Sequence, residues 1–182
     1  MFSLSQMVRS CEYIMKENEE ELNEVIESYR QTCLLNAKVI SHIVEMNPDI
    51  LYDVDELKTL AKHLEIDEIH IFDETGTIFS GTVPSYFGYD MDSGEQIHFF
   101  KPLLTDKSLE MVQSIEANTL GNEMMQYSAL WSKNGQYIIQ VGMKPVNISK
   151  ITEKNELSHI FSLFGVNPHV SYYAINSDTL EI

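Results

Sequence analysis

Positive charge is scarce in this sequence. Its 182 residues carry 12 lysines and arginines against 28 aspartates and glutamates, a formal net charge of −16. Such a surface repels phosphate backbones, which excludes nucleic acid as a partner. It also keeps the chain off an anionic bilayer unless a covalent anchor holds it there. Long apolar runs are missing too. No stretch of about 18 apolar residues exists, so no segment reads as a membrane-spanning helix. Met1 to Arg9 has neither the basic start nor the apolar run of a cleavable signal. Cysteine is limited to Cys11 and Cys33, 22 residues apart on one predicted helix. At about 1.5 Å per residue that is roughly 33 Å, far beyond the reach of a disulfide, so both read as free thiols. His42, His63, His70, His98, His159 and His169 are scattered, with no His-x-x-x-His pair. A phosphate-cradling glycine loop, a nucleophile elbow and a Cys-His dyad are all absent. No metal and no cofactor is expected.

What is present is a foldable core. Hydrophobic residues make up 43%, enough to disfavour disorder. The stretch from Glu68 to Gly81 reads as two strands around a turn. Ile69, Ile71 and Ile78 alternate with more polar neighbours, the period of a half-buried strand. Asp73 to Gly76 supplies the turn, because Asp bonds its own backbone two residues on and Gly accepts positive φ. A second hairpin runs from Met124 to Met143, reversing at Asn134-Gly135, the strongest short hairpin signal.

Helices surround these hairpins. Residues 3–46 read as one helix with a near-heptad seam: Leu4, Val8, Cys11, Met15, Asn18, Leu22, Val25, Tyr29, Cys33, Asn36, Ile40 and Ile43, with one extra residue near Tyr29. Its length of about 65 Å exceeds a compact domain whose radius of gyration is about 16 Å, so its first half is expected to protrude as a stalk or dimer seam. Asn47-Pro48-Asp49 breaks it. Asp53 and Glu56 form a capping-box pattern for a second helix reaching about Leu64. An aromatic insert occupies residues 82–108, residues 109–119 read weakly as a third strand, and Ile148 to Phe164 reads as a closing helix.

The best pocket candidate is an aromatic and methionine group: Tyr86, Phe99, Phe100, Met125, Tyr127, Trp131, Ile139 and Val141. Small-molecule sites are mostly apolar with a few placed polar groups. Tyr127, Trp131 and Met125 share one strand face and Ile139 and Val141 another. Lys101, the lone cation amid the apolar insert, is the candidate partner for an anionic ligand. Asp67, Glu68, Asp73 and Glu74 crowd the first hairpin, where carboxylates serve acid–base chemistry only if one is buried.

The order of these parts resembles the Cache family, PAS-like extracytoplasmic sensors of bacterial signal-transduction proteins. The resemblance rests on the long helix, the short helix, a strand carrying Ile71-Phe72-Asp73 with Gly76, the aromatic insert, and the run from Ile138 to Pro145 that reads Ile-Ile-Gln-Val-Gly-Met-Lys-Pro. It covers roughly residues 30–160. Phe99 to Leu103 with Asp106 to Leu109 is similar to sensor regions attached to cyclase or histidine-kinase outputs. The resemblance implies an α+β fold, an antiparallel sheet with the long helix packed on it. It divides the chain into residues 1–46, a stalk helix; 47–164, the sensor module; and 165–182, a linker and the start of a membrane-proximal module at Tyr172 to Asn176. A function follows from it: binding an unidentified small molecule, without catalysis, in a membrane receptor that dimerises through the N-terminal helix and is anchored by segments outside this chain. One departure stands out. Amino-acid-binding members place an arginine in the pocket, and no arginine follows Arg30, so an amino-acid ligand is not supported. Two rivals remain: a ligand-free dimerisation module, favoured by a cavity plugged with Phe99, Phe100 and Trp131, and a small hydrolase built on Asp73 or Glu74.

Overall fold

The computed structural model describes residues 4–146, 148, 152–153, 156–163 and 173. The expected linker and second module, residues 165–182, lie outside the described residues apart from Tyr173. By contacts the chain forms two units: Glu27–Pro145, and the segments that precede and follow it.

Helix α1 runs Leu4–Met46 without a break, as the lack of Gly and Pro predicts. Among the residues described from Ser5 to Thr32 none is fully buried; Met7, Cys11, Ile14, Asn18, Leu22 and Val25 form a half-buried stripe. The seam is therefore one residue out of phase at two places: Val8 and Met15 are exposed, while Met7 and Ile14 take the inward positions. From Cys33 onward Cys33, Ala37, Ile40 and Val44 are buried, at the steps of four and three that one helix face requires.

A 3₁₀ turn at Pro48–Tyr52 follows, then α2 at Val54–His63. Asp53 caps α2: its Oδ1 accepts from the backbone N–H groups of Asp55 at 3.0 Å and Glu56 at 2.9 Å. The capping box is only half made, because the Asp53 N–H donates to the Ile50 carbonyl.

The strands are β1 Glu68–Phe72, β2 Ile78–Gly81, β3 Glu110–Val112, β4 Glu116–Ala117, β5 Met124–Trp131 and β6 Ile138–Met143. All described pairings are antiparallel, in the order β2-β1-β6-β5-β3, with β4 on β5. The two hairpins thus join through β1 and β6, where Glu68 pairs with Gly142, His70 with Gln140 and Phe72 with Ile138. The first turn closes as its sequence predicts: Asp73 Oδ1 accepts from the N–H of Thr75 and Thr77, and Gly76 sits at φ +83°.

Both faces of this sheet are covered. On one, Ile69, Ile71, Leu130, Ile139, Val141 and Met143 pack with Cys33, Ala37, Ile40, Val44, Leu57 and Ala61 of the two helices. Cys33 Sγ lies 3.4 Å from the carbonyls of Gln126 and Val141, and burial pushes its thiol up to about 11. On the other face lies the insert. It contributes a 3₁₀ turn at Pro84–Tyr86, the short helix α3 at Glu95–His98 and a 3₁₀ turn at Lys101–Leu104. Its Tyr86, Met91, Ile97, Phe100 and Leu103 pack on Phe72, Ile78, Met125, Tyr127, Trp131 and Ile138. A helix α4, Leu157–Ser162, lies within the span expected for the closing helix.

Candidate functional site

The insert face of the sheet has an apolar end and a polar end. At the apolar end Trp131 is buried, its Nε1–H donating to the Leu103 carbonyl at 2.6 Å. The polar end is built where β1, β6 and β5 run side by side. Alternation along β1 sends Ile69 and Ile71 to the helices, so Glu68, His70 and Phe72 face the insert. By the same rule Gln140 and Gly142 of β6, and Met125 and Tyr127 of β5, share that face.

Gly142 decides the geometry. A Cβ there would stand 2.5 Å from Tyr127 Cε1 and 3.0 Å from Met125 Cε. With hydrogen in its place, the Tyr127 ring lies across β6 and its hydroxyl donates to Glu68 Oε2 on β1, at 2.5 Å. His70 Nε2 reaches the same oxygen at 3.1 Å. Tyr86 roofs the group, its ring edge-on to His70 with centroids 4.7 Å apart. The Tyr86 hydroxyl accepts from the Leu120 N–H at 3.2 Å. Asn118 Oδ1 holds its own loop by accepting from the N–H groups of Gly121 and Glu123.

The electrostatics of this cluster are set by Glu68. Burial pushes its carboxyl up, but the His70 hydrogen bond and electrostatic attraction, the Tyr127 hydrogen bond and the Lys144 charge outweigh burial and hold it below the usual range. It is a mostly buried, ionised carboxylate. Burial first, then the Glu68 charge, push the Tyr127 hydroxyl well up and keep it protonated; the Tyr86 hydroxyl is raised for the same two reasons. Lys144 itself is exposed and paired with Glu123 at 3.2 Å.

Three polar atoms here are buried without a hydrogen-bond partner: His70 Nδ1, Gln140 Nε2 and Gln140 Oε1. His70 is 2% exposed and Gln140 is fully buried. Each such atom costs about 1–3 kcal/mol, so the arrangement is completed only by something that bonds to it.

The expected site residues divide into three groups. Tyr86, Tyr127 and Met125 come together at the polar end, and Trp131 lies on the same strand face at the apolar end. Ile139 and Val141 do not face the concavity: they pack with α1 and α2, because the register puts their even-numbered neighbours on the insert side. Phe99 and Lys101 also lie elsewhere, with His98, Pro102 and Thr105 around an outer hollow of about 430 Å³. Lys101 is no free cation for a ligand, since its Nζ binds both oxygens of Asp92 at 2.7 and 2.8 Å. The ridge from His98 to Thr105 turns Phe99 outward while its neighbour Phe100 fills the core. Asp73 is not a proton donor in waiting. Burial raises it, but the Thr75 hydroxyl and the N–H groups of Thr77, Thr75 and Gly76 hold it below the usual carboxylate range.

Sequence reading missed Glu68, His70 and Gln140 as members of one site. The available signal was the polar register of β1, Glu68-x-His70, which reads as a solvent-facing edge when only one face is assumed buried. Among the described residues no group of three His, Cys, Asp or Glu side chains converges to hold a metal ion.

Helices on one face of an antiparallel sheet and an insert on the other make the α+β fold expected from the resemblance. No family model matches this chain, and no curated protein matches it by sequence. Solved structures do. It is similar to the sensor domain of the Vibrio cholerae histidine kinase DctB, at 13% identity and TM-score 0.56, over 82% of this chain and 60% of that one. The ligand-binding domain of the Campylobacter jejuni chemoreceptor Tlp3, solved with 4-methylisoleucine, aligns at 10% identity and TM-score 0.56, over 82% of this chain and 63% of that one. The Bacillus subtilis YkuI protein, which has an EAL domain, aligns at 12% identity and TM-score 0.52, over 72% of this chain and 35% of that one. This chain spans less than two thirds of each. At these identities the likeness concerns the fold.

Proposed function

We propose that this chain is the extracytoplasmic ligand-sensing module of a bacterial membrane receptor, taking a small molecule between the sheet and its insert. The observation that carries the reading is the pair His70 and Gln140, cross-strand neighbours whose three unpartnered polar atoms are buried beside an ionised Glu68. A core built only for stability gains nothing from orphaned polar atoms, and functional sites are where such local costs collect. The fold shared with two sensor domains supports it. The module is residues 47–164, docked on the second half of α1. It binds without catalysing. The signal is a two-state equilibrium that the ligand biases by differential affinity, read out by a shift of α1 against its mate in a dimer. Anchoring segments and an output domain, a kinase or a cyclase, belong to the parts of the receptor outside this chain.

The test is a thermal-shift screen of the purified chain against carboxylates, amines, sugars and purines. A ligand at about 100 times its Kd adds about 2.7 kcal/mol, which raises Tm by about 5–10 °C for a domain of this size. A flat screen removes the sensing role.

One observation favours a second reading, a ligand-free dimerisation module. Phe100 and Trp131, two of the three residues expected to plug a cavity, are buried in the insert-face core. Phe99, the third, is 39% exposed. Both ends are buried, so the unpartnered polar atoms of the polar end are what separates the two readings.

A further inference from the structure

Resting on the sensing role, the charge and hydrogen-bond inventory of the polar end selects a ligand class. The floor holds one carboxylate, Glu68, held ionised by its neighbours. The nearest ammonium, on Lys144, is exposed and paired with Glu123. Lys101 is paired with Asp92 on the outer surface. An anionic ligand would meet an uncompensated like charge there, in surroundings that screen it poorly.

The unpartnered atoms sharpen the choice. An ionised carboxylate only accepts, so His70 Nε2, at 3.1 Å from Glu68 Oε2, carries the proton of that bond. Nδ1 is an acceptor in the neutral ring alone, the form that donation from a ligand to this atom requires. Gln140 Oε1 is a second acceptor and the Glu68 carboxylate a third. A primary ammonium has three N–H donors. Tyr86 and Tyr127 add aromatic rings on either side of His70, and ring faces attract cations. Gln140 Nε2 remains, an amide nitrogen with two N–H donors and no partner. It takes an acceptor on the ligand.

We propose that the polar end binds a small primary amine carrying a neutral hydrogen-bond acceptor, the chemistry of an amino alcohol or amino amide. Its ammonium donates to Glu68, His70 Nδ1 and Gln140 Oε1, and its hydroxyl or carbonyl oxygen accepts from Gln140 Nε2. Tyr86 covers the site at 2% exposure, so access requires the Pro84–Tyr86 turn to move. That movement would break the Gly88 N–H bond to the Ile78 carbonyl at 2.8 Å.

The experiment is titration calorimetry on the full chain with ethanolamine, glycinamide and propylamine, against propionate, 1-propanol and ethylene glycol. The amines bind, and ethanolamine and glycinamide bind more tightly than propylamine, which lacks the acceptor. Glu68→Gln weakens ethanolamine by at least about tenfold, one hydrogen-bonded charge lost. Gln140→Met guards against a variant that simply unfolds. It removes two orphaned atoms at constant length, so the free protein melts no lower than the parent while ethanolamine binding falls. Binding of propionate or 1-propanol without amine binding overturns the ligand class and leaves the sensing role standing. Amine binding that survives both variants overturns the site. No heat with any solute of either panel, together with a flat thermal-shift screen, overturns both.

Discussion

Gly142 governs where Tyr127 can lie, and that makes it the first residue to change. The Cβ of Gly142→Ala would stand 2.5 Å from the Tyr127 ring, in a strand buried on both sides. Overpacking of this kind costs about 1–3 kcal/mol, measurable by urea unfolding. A second change identifies the clash: Tyr127→Leu in the Gly142→Ala background is expected to recover stability relative to Gly142→Ala alone. No recovery would mean that the ring is not what the methyl group meets. Glu68 gives a pH signature. Its folded pKa lies below its ordinary value of 4.5, so its stabilising contribution is present above that value and is lost as pH falls through the lower folded one. Glu68→Gln is therefore expected to flatten the acid limb of a Tm-against-pH curve, below about pH 4.5. An acid limb equal to the parent's would remove the paired, ionised state assigned to Glu68. Lys101→Ala tests the opposite case. The ion pair with Asp92 has side chains 45% and 62% exposed, and such pairs contribute about 0–1 kcal/mol. Little loss of stability and no loss of ligand affinity are expected. A lysine alone in an apolar insert looked like a ligand partner because the sequence cannot show that Asp92 folds back to meet it.

At the scale of elements, helix ends and turns were legible because their chemistry is local. Pro48 ends α1, Asp53 caps α2, and Asp73 and Gly76 shape the first turn, each through atoms a few residues away. The Asp53 cap is open to test. Asp53→Ala removes the acceptor of two N–H groups and is expected to cost about 1 kcal/mol, with Asp53→Asn retaining most of it. An equal loss in both variants would place the contribution in charge rather than in the cap. The strands were legible in position but not in environment. Period-2 alternation tells which residues share a face, and it was read as one face buried and one wet. Here the insert covers the second face, so His70 and Gln140, polar members of the alternation, are as buried as the isoleucines beside them. The same limit explains Ile139 and Val141. Their shared face was legible, but which layer it meets depends on how β6 pairs with β1, a contact between residues about 70 positions apart. Local patterns hold no such information.

At the scale of the whole molecule the proposed sensing role needs a route from the site to a second copy. The proposed route is α1, where Met7, Cys11, Ile14, Asn18, Leu22 and Val25 follow one another at the steps of four and three that a two-helix seam uses. In the proposed receptor, two copies anchored in one membrane would place their N-terminal helices side by side in the same direction. In a parallel, in-register pair the two copies of any seam residue oppose each other, so Cys11 would meet Cys11. A disulfide forms only when the two Cα atoms come within about 7 Å. Mild oxidation of the chain is therefore expected to produce a covalent dimer that Cys11→Ser abolishes. Cys33 is the internal control, because it is buried beneath the helix with its thiol raised to about 11, so Cys33→Ser leaves the crosslink in place. Leu22→Glu, a charge set into the seam two turns or more from the cysteine, is expected to slow crosslinking and shift the sedimentation coefficient toward the monomer. If Cys11 stays reduced while sedimentation still reports a dimer, the copies meet through another face, and α1 loses its role as the carrier of the signal even with the sensor site intact.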